Sequence, residues 1–513
     1  MIRSVLGNSV SNVMLHVLRI LTTFVISPII VRALGNYDYG IWEILAAVIG
    51  YMGLLDMGLK PAITRYVARY NALKNAESLH KVYSTALVFM GIVGIVAFVS
   101  FMSWAAVGPG ILAEKGNDPM RYALLLLILG IQALITFPGY LMECIHEGFQ
   151  RYTLTNTVTM ITTLIGVTAL FVLLQRGYGL LTLALINAIG TSIKFAVYWI
   201  LLRLPRYGNF RFRATNLSPA SLKELLGFGS KTFIQSIATT VSNSSDMIVI
   251  GAFLGPVAVT FYAIPAKLVL QGRNLIWTIT QVFMPFFSDL DARGDKAMIG
   301  RVLTVASRYV VGIWLPFLGA VCFLGIPFLS RWMGPSYAEN GRWVLYILAA
   351  AYGLTLMNPF HSRFLTGIGR QGILAVTRSI VAVLTISLSL VLVRSLGKEG
   401  MALAILIPLI IFEPVILFYT CKHAGITPWK YIGEVIVPLI LPTTLFISFL
   451  WIVSSMVTLD TYPRIFGSGL LGSMIYIVVF FFLAVQGDEK RIILKGMRAR
   501  WAPGSVEVRV NRT

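Results

Sequence analysis

Four cations lie inside long apolar stretches of this 513-residue chain: Arg19, Lys267, Arg273 and Arg378. A charge at the centre of a bilayer costs about 2.5–3.5 kcal/mol on insertion scales, so such residues usually face a watery path or a counter-ion. Arginine carries a planar fork of donors that grips two phosphate oxygens at once. The residue types therefore predict that these side chains bind an anionic, phosphorylated substrate.

Arg19 belongs to a polar stripe on one helical face, formed by Asn8, Asn12, His16, Arg19, Thr23 and Ser27. Two later segments carry similar stripes: Thr232, Gln235, Thr239, Ser242 and Asp246, and then Lys267, Gln271, Asn274, Thr278 and Gln281. Three polar faces cannot all lie against lipid. The pattern predicts a water-filled cavity between two lobes, with a basic centre.

Several of these cations also have a structural interpretation. Arg378 lies near enough to the cytoplasmic side for its long side chain to snorkel, as does Lys194. Arg273 could pair with an acid such as Glu43 or Glu413. Both interpretations stay open at the level of sequence.

Titratable groups inside the spans are candidates for coupling transport to a proton or sodium gradient. Asp246 could neutralise Lys267 or Arg19 as an ion pair, or exchange a proton. His16 is the histidine that lies on a polar stripe, which suits a proton relay. The candidates for ion coupling are His16, Asp246, Glu43 and Glu413.

Metal, redox and catalytic chemistry are not expected. The segment Glu143-Cys144-Ile145-His146-Glu147 offers metal ligands, but it ends an apolar span without a second ligand cluster, which predicts a hydrated helix end. The three cysteines are typical of buried small side chains. No phosphate-binding loop is present, so the sequence predicts neither an enzyme nor a resident cofactor.

The composition sets the elements that position these residues. Hydrophobic residues make up 57% of the chain, charged residues 12%, and the mean hydropathy is +0.80. These values predict an all-α polytopic membrane protein, and stretches of the ~20 apolar residues that a bilayer requires recur about fourteen times. No cleavable signal peptide is expected, because the first apolar segment runs on without a small-residue cleavage pattern.

The chain repeats itself at an offset of 220 or 221 residues. Leu34-Gly35 recurs as Leu254-Gly255, and Arg121, Pro138, Gly148, Gln150 and Gly179 recur as Arg342, Pro359, Gly369, Gln371 and Gly400. The predicted domains are a first six-helix bundle at 1–203, a basic linker at 204–226, a second bundle at 227–421, two further helices at 422–486 and a basic tail at 487–513.

The net charge of +21 reflects membrane topology rather than a nucleic-acid partner. Most of the 42 Lys and Arg residues fall in loops that lie in the cytoplasm when both termini are cytoplasmic. The linker 204–226, which is basic and aromatic, is predicted to lie at anionic headgroups, with a helix start at Ser218-Pro219. A glycosyltransferase would need a larger extramembrane domain.

The stretches LGNYDYGIWEILAAVIGYMGLLDMGLKPAITRYVARY (34–70) and SDMIVIGAFLGPVAVTFYAIPAKL (245–268) resemble the polysaccharide-exporter branch of the multidrug/oligosaccharidyl-lipid/polysaccharide (MOP) exporter superfamily. Asp246, Gly251, Leu254-Gly255, Tyr262 and Ala266 match the pattern of Wzx-type flippases. The resemblance implies a V-shaped, MATE-like pair of six-helix bundles with two extra helices in a bacterial inner membrane. It also implies transport of a polyprenyl-diphosphate-linked oligosaccharide by alternating access, with membrane lipids, a polysaccharide polymerase and other assembly proteins as partners.

Three other functions remain open. A cation-coupled multidrug exporter of the same fold would prefer acidic groups where this chain has Arg19, Lys267 and Arg273. A flippase for the peptidoglycan lipid precursor would want the same basic cavity. A non-transporting scaffold for polysaccharide assembly would not require membrane-embedded cations.

Overall fold

A computed structural model of the chain describes residues 2–108, 110, 118–205, 209–486 and 489–490. Part of the predicted linker, 206–208, lies outside the described residues, as do 487, 488 and 491–513 of the predicted tail. The side chains of Thr232 and Gln235 also lie outside the described part.

All regular structure in the described residues is helical. The α-helices are given below in chain order, and short 3₁₀ turns lie between some of them. They are α1 (Ile2–Met52), α2 (Leu59–Ala72), α3 (Ala76–Val107), α4 (Pro119–Gly148), α5 (Tyr152–Gln175), α6 (Leu180–Arg203), α7 (Pro219–Leu254), α8 (Pro256–Ile279), α9 (Phe283–Ala292), α10 (Lys296–Trp332), α11 (Pro335–Leu354), α12 (Asn358–Gly367), α13 (Gly372–Ala424), α14 (Pro428–Val435), α15 (Val437–Met456) and α16 (Tyr462–Leu483).

Short polar side chains fix several helix starts. Asn75, Asp118, Ser218, Asp295 and Thr427 each accept a hydrogen bond from a backbone N–H in the first turn of the following helix. Such caps satisfy backbone donors that have no partner within the helix. The predicted helix start at Ser218-Pro219 is confirmed.

Two glycines break the helical path at equivalent places. Gly35, inside α1, has φ 74° and ψ 172°, and Gly255, between α7 and α8, has φ 81° and ψ 172°. Residues with a Cβ rarely adopt this backbone conformation, so glycine is required. The two positions are 220 residues apart, and Gly177 and Gly397 form a second pair with positive φ at the same spacing.

Ten helical segments in the described part are long and apolar enough to cross a membrane, or eleven if the bent pair Ser236–Ser242 and Ser244–Leu254 is one span. The protein is therefore a multi-pass, all-helical membrane protein. Two of these segments, containing α1 and α13, each cover two of the fourteen predicted spans across the breaks at Gly35 and Gly397.

The chain divides into two compact units. Unit 1 comprises the described residues of Met1–Lys267 and Ala375–Pro408, and unit 2 those of Leu268–Leu374 and Leu409–Thr513. A core of buried side chains from α2, α3, α4 and α6 holds unit 1 together, and a smaller core of α10, α15 and α16 lies in unit 2.

The basic linker is anchored to unit 1. Phe210 is buried, and its ring packs against those of His80, Tyr83 and Phe149. An aromatic side chain of this size removes a large apolar area from water. Phe210 thus fixes the linker against α3 and the end of α4.

Candidate functional site

Arg19 is an exposed cation in the middle of α1. The described residues contain no acid within ion-pair distance of its guanidinium and no hydrogen-bond acceptor for it. Arg19 instead interacts electrostatically with a second cation, Lys194 of α6. His16, one turn earlier on α1, has a buried Nε2 with no hydrogen-bond partner among the described residues. The Arg19 guanidinium is therefore a positive charge without a counter-ion among the described residues.

Lys194 lies where two cavities of unit 1 meet. One cavity, of about 150 Å³, lies among α1, α3, α4 and α6, and the other, of about 240 Å³, lies between α5 and α6. The Lys194 ammonium is 3.8 Å from Glu143 Oε2 and 4.2 Å from the ring centre of Phe195. Lys194 and Glu143 therefore form an ion pair whose N–O distance is longer than that of a hydrogen bond.

The Glu143–Glu147 segment is not the hydrated helix end that we predicted. His146 is fully buried and Cys144 nearly so, and His146 Nε2 is 3.2 Å from the backbone oxygen of Tyr198. Cys144, Ile145 and His146 are therefore shielded from water, whereas Glu143 and Glu147 are half-buried. Among the described residues, no group of three or more His, Cys, Asp or Glu side chains could hold a metal ion.

The beginning of the polar stripe on α1 packs against α5. Asn8 Oδ1 accepts a 2.9 Å hydrogen bond from the hydroxyl of Thr153, and Asn156 Nδ2 donates to Asn12 Oδ1 at 2.6 Å. Asn156 also donates to Ser11 Oγ at 2.9 Å. These asparagines connect helices, whereas Arg19, two turns further on, stays exposed.

Lys267 has the opposite environment. Its ammonium donates to Glu43 Oε1 at 2.5 Å and to the Tyr39 hydroxyl at 2.7 Å. The Glu43 side chain is 11% exposed and that of Lys267 28%. Lys267 therefore pairs with Glu43, which we considered as a partner for Arg273, and not with Asp246.

Close backbone packing positions this ion pair. A Cβ at Gly40 of α1 would overlap the carbonyl of Pro256 at the start of α8, and one at Gly251 would lie 2.6 Å from Ile44 Cδ1. The Thr260 hydroxyl donates to a backbone oxygen of α1 at 2.6 Å. The small residues let the helices approach until the Lys267 side chain reaches α1.

Asp246 lies on α7 beside this contact. It is buried, interacts with Tyr262 of α8, and lies within electrostatic range of Glu43. The backbone N–H of Met247 donates to its Oδ1 at 2.9 Å. Asp246, Gly251 and Tyr262, which carry the sequence resemblance, thus all lie at the contact of α7 and α8 with α1.

The remaining predicted residues lie in different places. Arg378 is half-buried in the first part of α13, in unit 1. In unit 2, the guanidinium of Arg273 lies 4.8 Å from the ring centre of Tyr352. Glu413 accepts a 2.7 Å hydrogen bond from Asn358. The structure therefore places Arg19, Lys267 and Arg378 in one unit and Arg273 in the other.

Two arginines in helices were not among the predicted site residues, because the sequence places them near the ends of predicted spans, with the cytoplasmic charges. Arg363 of α12 lies 5.3 Å from the ring centre of Trp277. Arg308 of α10 is 1% exposed, and its Nη2 donates to Glu489 Oε1 at 2.5 Å. Their partners, Trp277 and Glu489, are remote in the sequence, so the residues around each arginine could not predict these contacts.

The fold is similar to those of solved membrane transporters. The chain superimposes on a solved "Lipid II flippase MurJ" with a TM-score of 0.72 and 14% identity, covering 92% of this chain and 97% of that one. A multidrug resistance MATE family transporter gives a TM-score of 0.67 and 16% identity, covering 79% and 94%.

Sequence comparison identifies the protein family. Residues 5–291 match the model of the family described as "Polysaccharide biosynthesis protein", and the chain belongs to this family. It is 22% identical to a "Putative O-antigen transporter" of Shigella flexneri, over 78% of this chain and 94% of that one. It is 23% identical to the "Uncharacterized membrane protein EpsK" of Bacillus subtilis strain 168, over 96% and 97%. The family match and the O-antigen transporter relative support the predicted resemblance to polysaccharide exporters.

Proposed function

We propose that the protein is a flippase that moves a polyprenyl-diphosphate-linked oligosaccharide, the repeat unit of a surface polysaccharide, from the cytoplasmic to the outer leaflet of a bacterial inner membrane. The observation that carries the proposal is Arg19, an exposed guanidinium in a candidate membrane span, with no acid partner among the described residues and Lys194 within electrostatic range. Such a guanidinium suits a diphosphate, because arginine binds phosphate oxygens in a bidentate manner. The family and the O-antigen transporter relatives support a cargo of this class.

The proposed cycle is alternating access by a fourteen-helix protein with both termini in the cytoplasm. Recurrent helix boundaries support two six-helix repeats: α3 begins at Ala76 and α10 at Lys296, while α5 begins at Tyr152 and the first part of α13 at Gly372. Each pair is 220 residues apart, as are Gly35 and Gly255. Helices α15 and α16 follow the repeats as the two additional spans.

Lys267 is a cargo contact in this scheme only when its pairing with Glu43 opens. In the conformation described here its ammonium is occupied by Glu43 and Tyr39. Arg273 and Arg378 complete the proposed set of substrate cations. Proton or sodium coupling is assigned to Glu43, Asp246, His16 and Glu413.

Deleting the gene and extracting the lipids tests the function. Mass spectrometry should detect an accumulating polyprenyl-diphosphate oligosaccharide while surface polysaccharide falls, and the intact gene should reverse both changes. An Arg19→Ala gene should fail to reverse them at equal expression. Arg32→Ala is the matched control, because Arg32 is an exposed cation further along the same helix.

The same strains separate the competing functions. New sensitivity to cationic drugs without a lipid change would assign the protein to multidrug export. Accumulation of the peptidoglycan precursor would assign it to that lipid. Normal cargo movement by a correctly folded Arg19→Ala protein would remove the cation from the mechanism.

A further inference from the structure

The cavity between α5 and α6 is lined partly by uncharged polar side chains. Binding of a diphosphate by cations gives these side chains no role. The volume of the cavity is about 240 Å³, below the range of about 300–1,000 Å³ that is usual for drug-sized ligands. Its polar wall is formed by Thr159, Thr162, Thr163, Asn187, Thr191 and Lys194. A cavity of this size suits one small ring rather than an oligosaccharide.

Hydrogen-bonding groups on this wall remain available. Asn187 Nδ2 donates to the backbone oxygen of Leu183 at 3.1 Å, which leaves its Oδ1 as an acceptor without a donor among the described residues. The hydroxyl of Thr163 has no hydrogen bond to any described residue. The ammonium of Lys194 contacts Glu143 only at 3.8 Å, so its three N–H donors are also unused by short hydrogen bonds.

The rest of the cavity lining is apolar and partly without side chains. Val167, Leu170 and Ile186 line it together with Gly166 and Gly190. A pyranose ring has the matching chemistry, with hydroxyls around its edge and C–H groups on its faces. An acyl chain would leave the polar wall unsatisfied, and a diphosphate would meet a single lysine that already faces Glu143.

We infer that this cavity binds the sugar ring attached directly to the diphosphate of the cargo. Lys194 lines the cavity and interacts electrostatically with Arg19. Arg19 therefore lies within electrostatic range of a residue that lines the cavity, which is consistent with a diphosphate on Arg19 and its first sugar in the cavity. The inference rests on the proposed function, and it assigns Thr163 and Asn187 to sugar recognition.

The test measures binding to the purified full-length protein in lipid nanodiscs, by native mass spectrometry. The two probes are the glycolipid that accumulates in the deletion strain and the sugar-free polyprenyl diphosphate. Wild-type protein should bind the glycolipid more tightly. A Thr163→Val, Asn187→Leu variant should lose about tenfold in affinity for the glycolipid, since each lost hydrogen bond is worth about two- to tenfold, and should bind the sugar-free lipid unchanged.

Two variants serve as controls. Thr168→Val changes an exposed threonine of α5 outside the cavity lining and should leave both affinities unchanged. Arg19→Ala should weaken both probes alike. Two outcomes would overturn the sugar site alone. One is an equal loss of affinity for both probes in the Thr163→Val, Asn187→Leu variant, and the other is no preference of wild-type protein for the glycolipid. Binding of neither probe by wild-type protein would overturn the proposed function as well.

Discussion

Arg19 and Lys267 are both cations on helices of unit 1, but their surroundings differ in every respect that matters for ligand binding. Lys267 donates to Glu43 and Tyr39 and lies where helices pack with glycines at their contact. Arg19 is exposed, has no acid partner among the described residues, and repels Lys194. A cation that is already paired stabilises a conformation, whereas an unpaired one has its full interaction free energy left for an anionic substrate.

The largest loss of stability is expected from Lys267→Met. It leaves the Glu43 carboxylate buried without its partner, which should lower the free energy of unfolding by about 3 kcal/mol. Unfolding in detergent measures it. The double variant Lys267→Met, Glu43→Gln should recover most of the loss, because neither charge then remains. Additive losses in this cycle would show that the two side chains do not interact.

Gly40→Ala should follow, with a loss of about 2 kcal/mol. The added methyl group would overlap the backbone carbonyl of Pro256, which cannot move without separating the helices. Gly251→Ala is the comparison, since its methyl group meets the flexible end of Ile44 and should cost less. Both are measured in the same unfolding assay, and the reverse order would mean that α8 shifts more easily than the side chain.

Asn156→Ala should cost about 1–2 kcal/mol through its lost hydrogen bonds to Ser11 and Asn12. It tests whether the beginning of the polar stripe serves packing rather than transport. Transport by protein at equal abundance should be nearly normal. A full loss of transport by a stable Asn156→Ala protein would contradict this division of the stripe.

Arg19→Ala should have the smallest effect on stability, within about 0.5 kcal/mol, because the side chain is exposed and has no ion-pair partner in the described part of the chain. Its effect on transport should be about tenfold or more, since hydrogen bonds between charged groups are worth about 1.5–3 kcal/mol. Arg19→Lys should retain part of the activity, because it keeps the charge and loses the fork. Unfolding and transport measured on one preparation separate the two effects.

Much of this arrangement could be predicted from local sequence, because it depends on local chemistry. Apolar length predicts the spans, Ser218-Pro219 predicts a helix start, and the spacing on α1 places Arg19 on a polar face. The partner of Lys267 could not be predicted, since Glu43 is 224 residues away and several acids were equally plausible on charge alone. The prediction for the Glu143–Glu147 segment was wrong for a related reason. The segment contacts α6 through Tyr198, which is remote in the sequence and cannot be predicted from the segment itself.

The buried pair of Arg308 and Glu489 has a consequence for biosynthesis. The two residues are 181 positions apart, and Glu489 lies after the last span. At about 5–20 residues per second, the ribosome needs roughly 10–40 s to make the intervening chain. During that interval the guanidinium of Arg308 lacks this acid, so this contact of unit 2 can form only after Glu489 has been synthesised.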